Sequence, residues 1–172
     1  MGFPRRHGVL MFALFWAAVL VVLVYWFERA LDNQINPNKA VLLAGQQGEV
    51  VLKKNIRGQY LAEGFINSAP VSMIVDTGAT FVAIPESLAP DLDVEYTGNT
   101  SRISTANGLV IGQDVRLREL QLGSFIFRDV YGVTVPKIET ETVLLGMNVL
   151  DDLSISVSGD TMRMVPIEIA PE

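Results

Sequence analysis

One stretch limits what the rest of this chain can be. From Val9 to Phe27 every one of nineteen residues is apolar and none carries a charge. Coiled as a helix with a 1.5 Å rise per residue, a run of that length crosses a hydrocarbon core of ~30 Å. Arg5, Arg6 and His7 precede it, and Tyr25 and Trp26 close it, where amphipathic aromatic rings favour the membrane interface. A cleaved signal peptide would have a shorter apolar region, about 7–15 residues, ending in small residues. This run instead ends in Tyr25-Trp26-Phe27 and then Glu28-Arg29. The expected organisation is a cytoplasmic N-terminus over residues 1–8, a transmembrane helix over 9–27, a linker over 28–48 and one small domain over 49–172. The linker is rich in Asn and Gln around Asn36-Pro37-Asn38, as suits a tether. The positive charges ahead of the helix favour a domain on the far side of the membrane. Ala13 and Ala17 form a pair of small residues that would let two helices approach closely, although Ala is common in membrane helices in any case.

Beyond the helix, the scarce residue types exclude most hydrolytic chemistries. The chain has no Cys, so thiol nucleophiles, disulfides and thiolate metal sites are absent. Its single His is His7, ahead of the membrane segment, which removes Ser-His-Asp triads and histidine-clustered zinc. Neither a metal nor another cofactor is expected. Setting aside Arg5, Arg6, Glu28 and Arg29 leaves 10 basic and 18 acidic residues. A domain of that charge is poorly suited to phosphate backbones, so nucleic acid is not an expected partner. Hydrolysis, if the chain performs any, must run on carboxylates.

The remainder has strand periodicity with turn punctuation. Gln59–Ile66 and Val71–Val75 flank Asn67-Ser68-Ala69-Pro70 and read as a hairpin. Ser101–Ala106 and Leu109–Val115 flank Asn107-Gly108, a dipeptide suited to a tight hairpin turn. Phe81–Ile84, Leu117–Leu122, Phe125–Val135, Ser154–Val157 and Met162–Ile167 are further strands, and Met147–Leu153 is the one short helix. Ala40–Ala44 is an apolar patch without an evident role. Short strands recurring every 8–12 residues indicate an all-β barrel or sandwich.

Val71–Val75 runs straight into Asp76-Thr77-Gly78-Ala79. An Asp at the end of a buried strand is costly unless its charge is used, and a Gly two residues on lets backbone come close to the carboxylate. An Asp-Thr-Gly triplet alone arises by chance in about one chain in twenty-five of this length. The context narrows it: Phe81–Pro85 resumes as a strand, Thr105-Ala106-Asn107-Gly108 tips a hairpin, and Leu144-Leu145-Gly146-Met147 leads into the helix. In order and spacing these elements resemble the retropepsin-like aspartic proteases, most of all their bacterial membrane-anchored branch, over about residues 48–167.

The resemblance implies a single-lobe, closed β-barrel with one short helix, and a homodimer, because one Asp-Thr-Gly loop supplies half of a catalytic pair. Asp76 from each subunit would meet on a two-fold axis and, as like charges in contact, share one proton. The ionised member would deprotonate a water that attacks the peptide carbonyl, and its neighbour would protonate the carbonyl oxygen. Thr77 would tie the two loops together, Gly78 and Ala79 would complete the active-site loop, and Thr105, Ala106, Asn107 and Gly108 would form a flap over an extended peptide substrate. Leu145 and Gly146 would support the loop from beneath. Met162–Ile167 is the expected contributor to the dimer interface. The implied place is the bacterial inner membrane, with the domain on the periplasmic or external side. A different class stays open: a binding or assembly module of the cell envelope that keeps the barrel without turnover. Asp151-Asp152 reads as solvated surface, Asn99-Thr100-Ser101 as an uninformative sequon, and Met73 and Met147 as core filler.

Overall fold

The computed structural model describes residues 5–39, 48–105, 108–136 and 141–167. The chain forms two compact units, Met1–Ile35 and Asn36–Glu172. The first is a helix, α1, over Arg5–Ile35. Its Gly8–Ile35 portion is long and apolar enough to cross a membrane, and none of its most apolar window is buried within the chain. The helix therefore continues past Phe27, where the linker was expected to begin. Glu28-Arg29-Ala30-Leu31 are good helix formers, and nothing interrupts them until Pro37, whose ring disfavours helical backbone at the preceding Asn36.

Asn36 and Asn38 are buried in the second unit. The Asn38 side chain donates to the carbonyls of Lys53 (2.8 Å) and Leu61 (2.7 Å) and accepts from the Lys53 N–H (2.7 Å). The Asn36 Oδ1 accepts from the Asn38 N–H at 3.0 Å, while its Nδ2 donates to Glu63. Part of the expected linker is thus folded into the domain, and the Ala40–Ala44 patch lies outside the described residues.

Among its described residues, the second unit is all β apart from one short helix. Six strands close into a barrel: β2 (Leu61–Ile66), β3 (Ala69–Val75), β8 (Thr142–Leu145), β4 (Val82–Pro85), β7 (Phe125–Val135) and β6 (Gly108–Leu122), with β6 returning to β2. β5 (Glu95–Thr105) pairs only with β6 and extends its outer edge. A second, three-stranded sheet has β10 (Thr161–Pro166) between β1 (Val50–Lys53) and β9 (Leu153–Ser158). Both edges of β10 are therefore paired within the subunit, so Met162–Ile167, the expected contributor to a dimer interface, offers a second copy no free strand edge. The core holds Leu52, Ile66, Met73, Ile84, Leu117, Leu120, Leu145 and Met164, all fully buried. Met73 is core and Met147 packs against it, as expected of methionine filler.

Several boundaries differ from the sequence reading for local reasons. The β2–β3 hairpin turns on Asn67 and Ser68 alone, both at positive φ, and Ala69-Pro70 already belong to β3. The two strands expected over Leu109–Val115 and Leu117–Leu122 are one, since no turn former separates them. β1 and β8, of four residues each, alternate in burial, but their apolar runs Val50-Val51-Leu52 and Val143-Leu144-Leu145 hide that alternation in the sequence. The helix α2 (Met147–Leu150) stops at Asp151, whose N–H bonds the Met147 carbonyl, because Leu153 already opens β9. Asp151 and Asp152 are exposed.

Candidate active site

β3 and β8 run parallel with Val75 opposite Leu145, and Asp76 is the first residue beyond that pair. Its N–H donates to the Leu145 carbonyl at 3.1 Å, so the strand ladder itself fixes where the carboxylate emerges. Chain reversal follows at once. The Gly78 N–H donates to Asp76 Oδ1 at 2.9 Å, and the Ala79 N–H donates to the Asp76 carbonyl at 3.1 Å. A Cβ on Gly78 would lie 3.2 Å from that same Oδ1, closer than side chains usually approach. Asp76 is half-buried, whereas Thr77 and Gly78 are exposed. One face of the carboxylate is thus held by backbone, while the loop beside it is open to a partner.

The loop rests on the start of α2. The Met147 and Asn148 N–H groups donate to the carbonyls of Ala79 (2.8 Å) and Thr80 (3.1 Å). Gly146 lies directly under Phe81: a Cβ there would fall 2.4 Å from the Phe81 oxygen and 2.5 Å from its carbonyl carbon. Leu145 is fully buried in the core beneath. Asn148, which the sequence reading did not single out, also donates from Nδ2 to the Tyr131 carbonyl on β7 at 2.8 Å. It therefore joins the loop to the far wall of the barrel. Its only signal in the sequence is its place directly after Leu144-Leu145-Gly146-Met147.

The β5–β6 hairpin carries the residues expected to form the flap. Thr105 pairs with Gly108, the Thr105 hydroxyl donates to the Gly108 carbonyl at 2.8 Å, and Gly108 takes φ +113°, which favours glycine. Ala106 and Asn107 lie outside the described residues. Further down the hairpin, Ile103 and Val110 face each other and pack on a small apolar floor of Ala83, Val133 and Val135, with Tyr131 and Leu144 at its margin. The sequence reading missed this floor, because Ala83 and Leu144 sit in runs that also feed the main core. Leu144 immediately precedes the residue whose carbonyl holds the Asp76 N–H, so the floor adjoins the Asp76 loop. Among the described residues, no group of three or more His, Cys, Asp or Glu side chains could hold a metal ion.

The family profile described as "gag-polyprotein putative aspartyl protease" matches residues 62–152. A Sinorhizobium sp protein described as "Uncharacterized protein in cobV 5'region" is 29% identical over 158 residues, covering 86% of this chain and 67% of the relative. The crystal structure of a retropepsin-like aspartic protease from Rickettsia conorii superposes with a TM-score of 0.57 at 24% identity, covering 68% of this chain and 89% of that one. The profile runs from β2 through α2 and so takes in the Asp76 loop, the hairpin and Gly146 in one uninterrupted span. With a barrel shared with a solved example as well, the chain belongs to the retropepsin-like aspartic protease family.

Proposed function

We propose that the protein is a membrane-anchored aspartic endopeptidase, active as a homodimer in which each subunit contributes Asp76. The observation that carries this reading is the Asp76 loop itself: a half-buried carboxylate, one oxygen held by the Gly78 N–H, at the rim of a one-lobe barrel with a single such loop. A lone carboxylate cannot act as base and acid in the same step. Two, brought together on a two-fold axis, share one proton. The ionised Asp76 takes a proton from a bound water, the water oxygen bonds to the peptide carbonyl carbon, and the other Asp76 donates its proton to the carbonyl oxygen. As that intermediate collapses, the C–N bond breaks, the Asp76 that took the water's proton gives it to the leaving amine, and the other Asp76 takes back the proton from the carbonyl oxygen.

The remaining roles follow from position. Thr77, exposed beside Asp76, links the two loops; Gly78 and Ala79 shape the turn; Leu145 and Gly146 hold it from below. Thr105, Ala106, Asn107 and Gly108 cover an extended peptide and exclude water. α1 crosses the bacterial inner membrane through residues 9–27 and leaves the domain on the external side. Confining subunits to a plane raises their effective concentration and favours pairing.

The test compares full-length wild type with Asp76→Asn, both in detergent, on an unstructured protein mixture from about pH 4 to 8, a range spanning carboxylate-pair titration. New peptide ends are read by mass spectrometry. Cleavage by wild type and its loss in the variant are expected. A dimeric wild type that cuts nothing would turn the assignment to a binding or assembly module.

A further inference from the structure

Asp114 is a carboxylate on the floor beneath the hairpin, and the reaction outlined above does not use it. The strand registers place it there directly: Asp114 on β6 stands opposite Val133 on β7, Val133 beside Ala83 on β4, and Ala83 opposite Leu144 on β8. Side chains paired across a ladder point to the same face, so these four form one row. Three of its members belong to the apolar floor and the fourth is an acid. Asp114 is only 7% exposed, and its Oδ1 is enclosed with no hydrogen-bond partner.

Among the described residues, none is seen to give the Asp114 carboxylate a counter-charge. Arg116, two residues on and on the same face, is taken up by Asp129, with its Nη1 3.1 Å from the carboxylate and 3.0 Å from the backbone carbonyl. Thr97 gives its hydroxyl to the Asp114 backbone carbonyl, not to the side chain. The Tyr131 hydroxyl meets Ser101 at 3.4 Å. An Asp114 Oδ1 enclosed in this way, with no donor among the described residues, is unfavourable in the free protein unless a ligand completes it.

We infer that Asp114 is a specificity-determining residue that receives a Lys or Arg side chain of the peptide substrate; this rests on the endopeptidase reading. The apolar row suits such a guest, because the methylene stem of Lys or Arg lies along Leu144, Ala83 and Val133 while its charge reaches the acid. Three inter-strand spacings of ~4.8 Å put Asp114 at most about 14 Å from Leu144. An extended peptide covers that distance with about two to three residues and one long side chain, so one position near the scissile bond carries the preference.

Full-length enzyme in detergent would be given paired peptides, built from a site that the wild type cleaves, with Lys or the neutral, similarly sized Met at each flanking position in turn. At one position wild type should favour Lys by roughly 10- to 100-fold in kcat/KM, mainly through KM, as expected for an enclosed charge pair. In Asp114→Asn that ratio should fall to near one, and in Asp114→Glu it should survive. A wild-type ratio near one at every position, or a Lys preference that persists in Asp114→Asn, overturns the inference and leaves the peptidase standing. The wild-type ratio decides the matter if the Asn variant fails to fold. A wild type that cleaves no peptide removes the endopeptidase reading and this inference with it.

Discussion

Gly146 shows how little freedom single positions have around the Asp76 loop. Its missing side chain is replaced by the Phe81 backbone, which a Cβ would meet at 2.4–2.8 Å. Backbone cannot rotate aside as a side chain can, so Gly146→Ala must push the Phe81 segment, and Asp76 with it, out of place. The expected outcome is a loss of roughly 1–3 kcal/mol in stability, the usual cost of overpacking. Activity should fall further than stability, since misplacing a reacting group by about 1 Å can cost 100-fold. Urea denaturation together with kcat/KM on one peptide checks both; unaltered stability would show that the loop accommodates the methyl. Asp76 and Gly146 stood out in the sequence through the order and spacing of their motifs, since neither motif is distinctive alone. Asp114 was not, because a polar residue in an alternating strand reads as solvent-facing. Only the register with Val133, Ala83 and Leu144 reveals that its face is covered.

Among the elements, the strands of the barrel were legible wherever a turn former or a long apolar run marked them, as with Phe125–Val135, which the structure reproduces to the residue. The segment leading into the domain was misread. Asn36-Pro37-Asn38 has the composition of a tether, yet Asn38 bridges β1 and β2 as a buried plug, with three hydrogen bonds that no backbone pairing supplies. Polar composition predicts exposure only on average; an amide side chain carries both donor and acceptor and can stand in for a missing strand. Asn38→Ala would leave the Lys53 N–H and two carbonyls short of partners in a buried place, at a cost of roughly 2–3 kcal/mol. A soluble domain starting at Asn36 should therefore unfold at clearly higher denaturant concentration than the same domain carrying Asn38→Ala. Equal midpoints would mean that the Asn36-Pro37-Asn38 segment is dispensable.

On the scale of the whole molecule, the barrel closes on itself, whereas its proposed chemistry does not. β6 returns to β2, so the six strands satisfy one another and leave no edge within the barrel. A second Asp76 must come from another copy, and β10 cannot join the two by edge pairing because β1 and β9 flank it. The barrel was readable from strand spacing and the resemblance; the arrangement of the terminal strands was not, because the apolar run Val50-Val51-Leu52 hides the alternation of β1. If each active site is built from two subunits, a dead subunit should inactivate a live one. Mixing wild type with an equal amount of Asp76→Asn in the same detergent micelles, with time for exchange, would leave about one quarter of dimers with two carboxylates, by random pairing of two-fold assemblies. Activity per wild-type chain should then fall to about half its unmixed value, and fall further as the variant is added in excess. Activity that stays proportional to wild-type chains at every ratio would mean that one subunit suffices, and the shared-site reading would have to be given up.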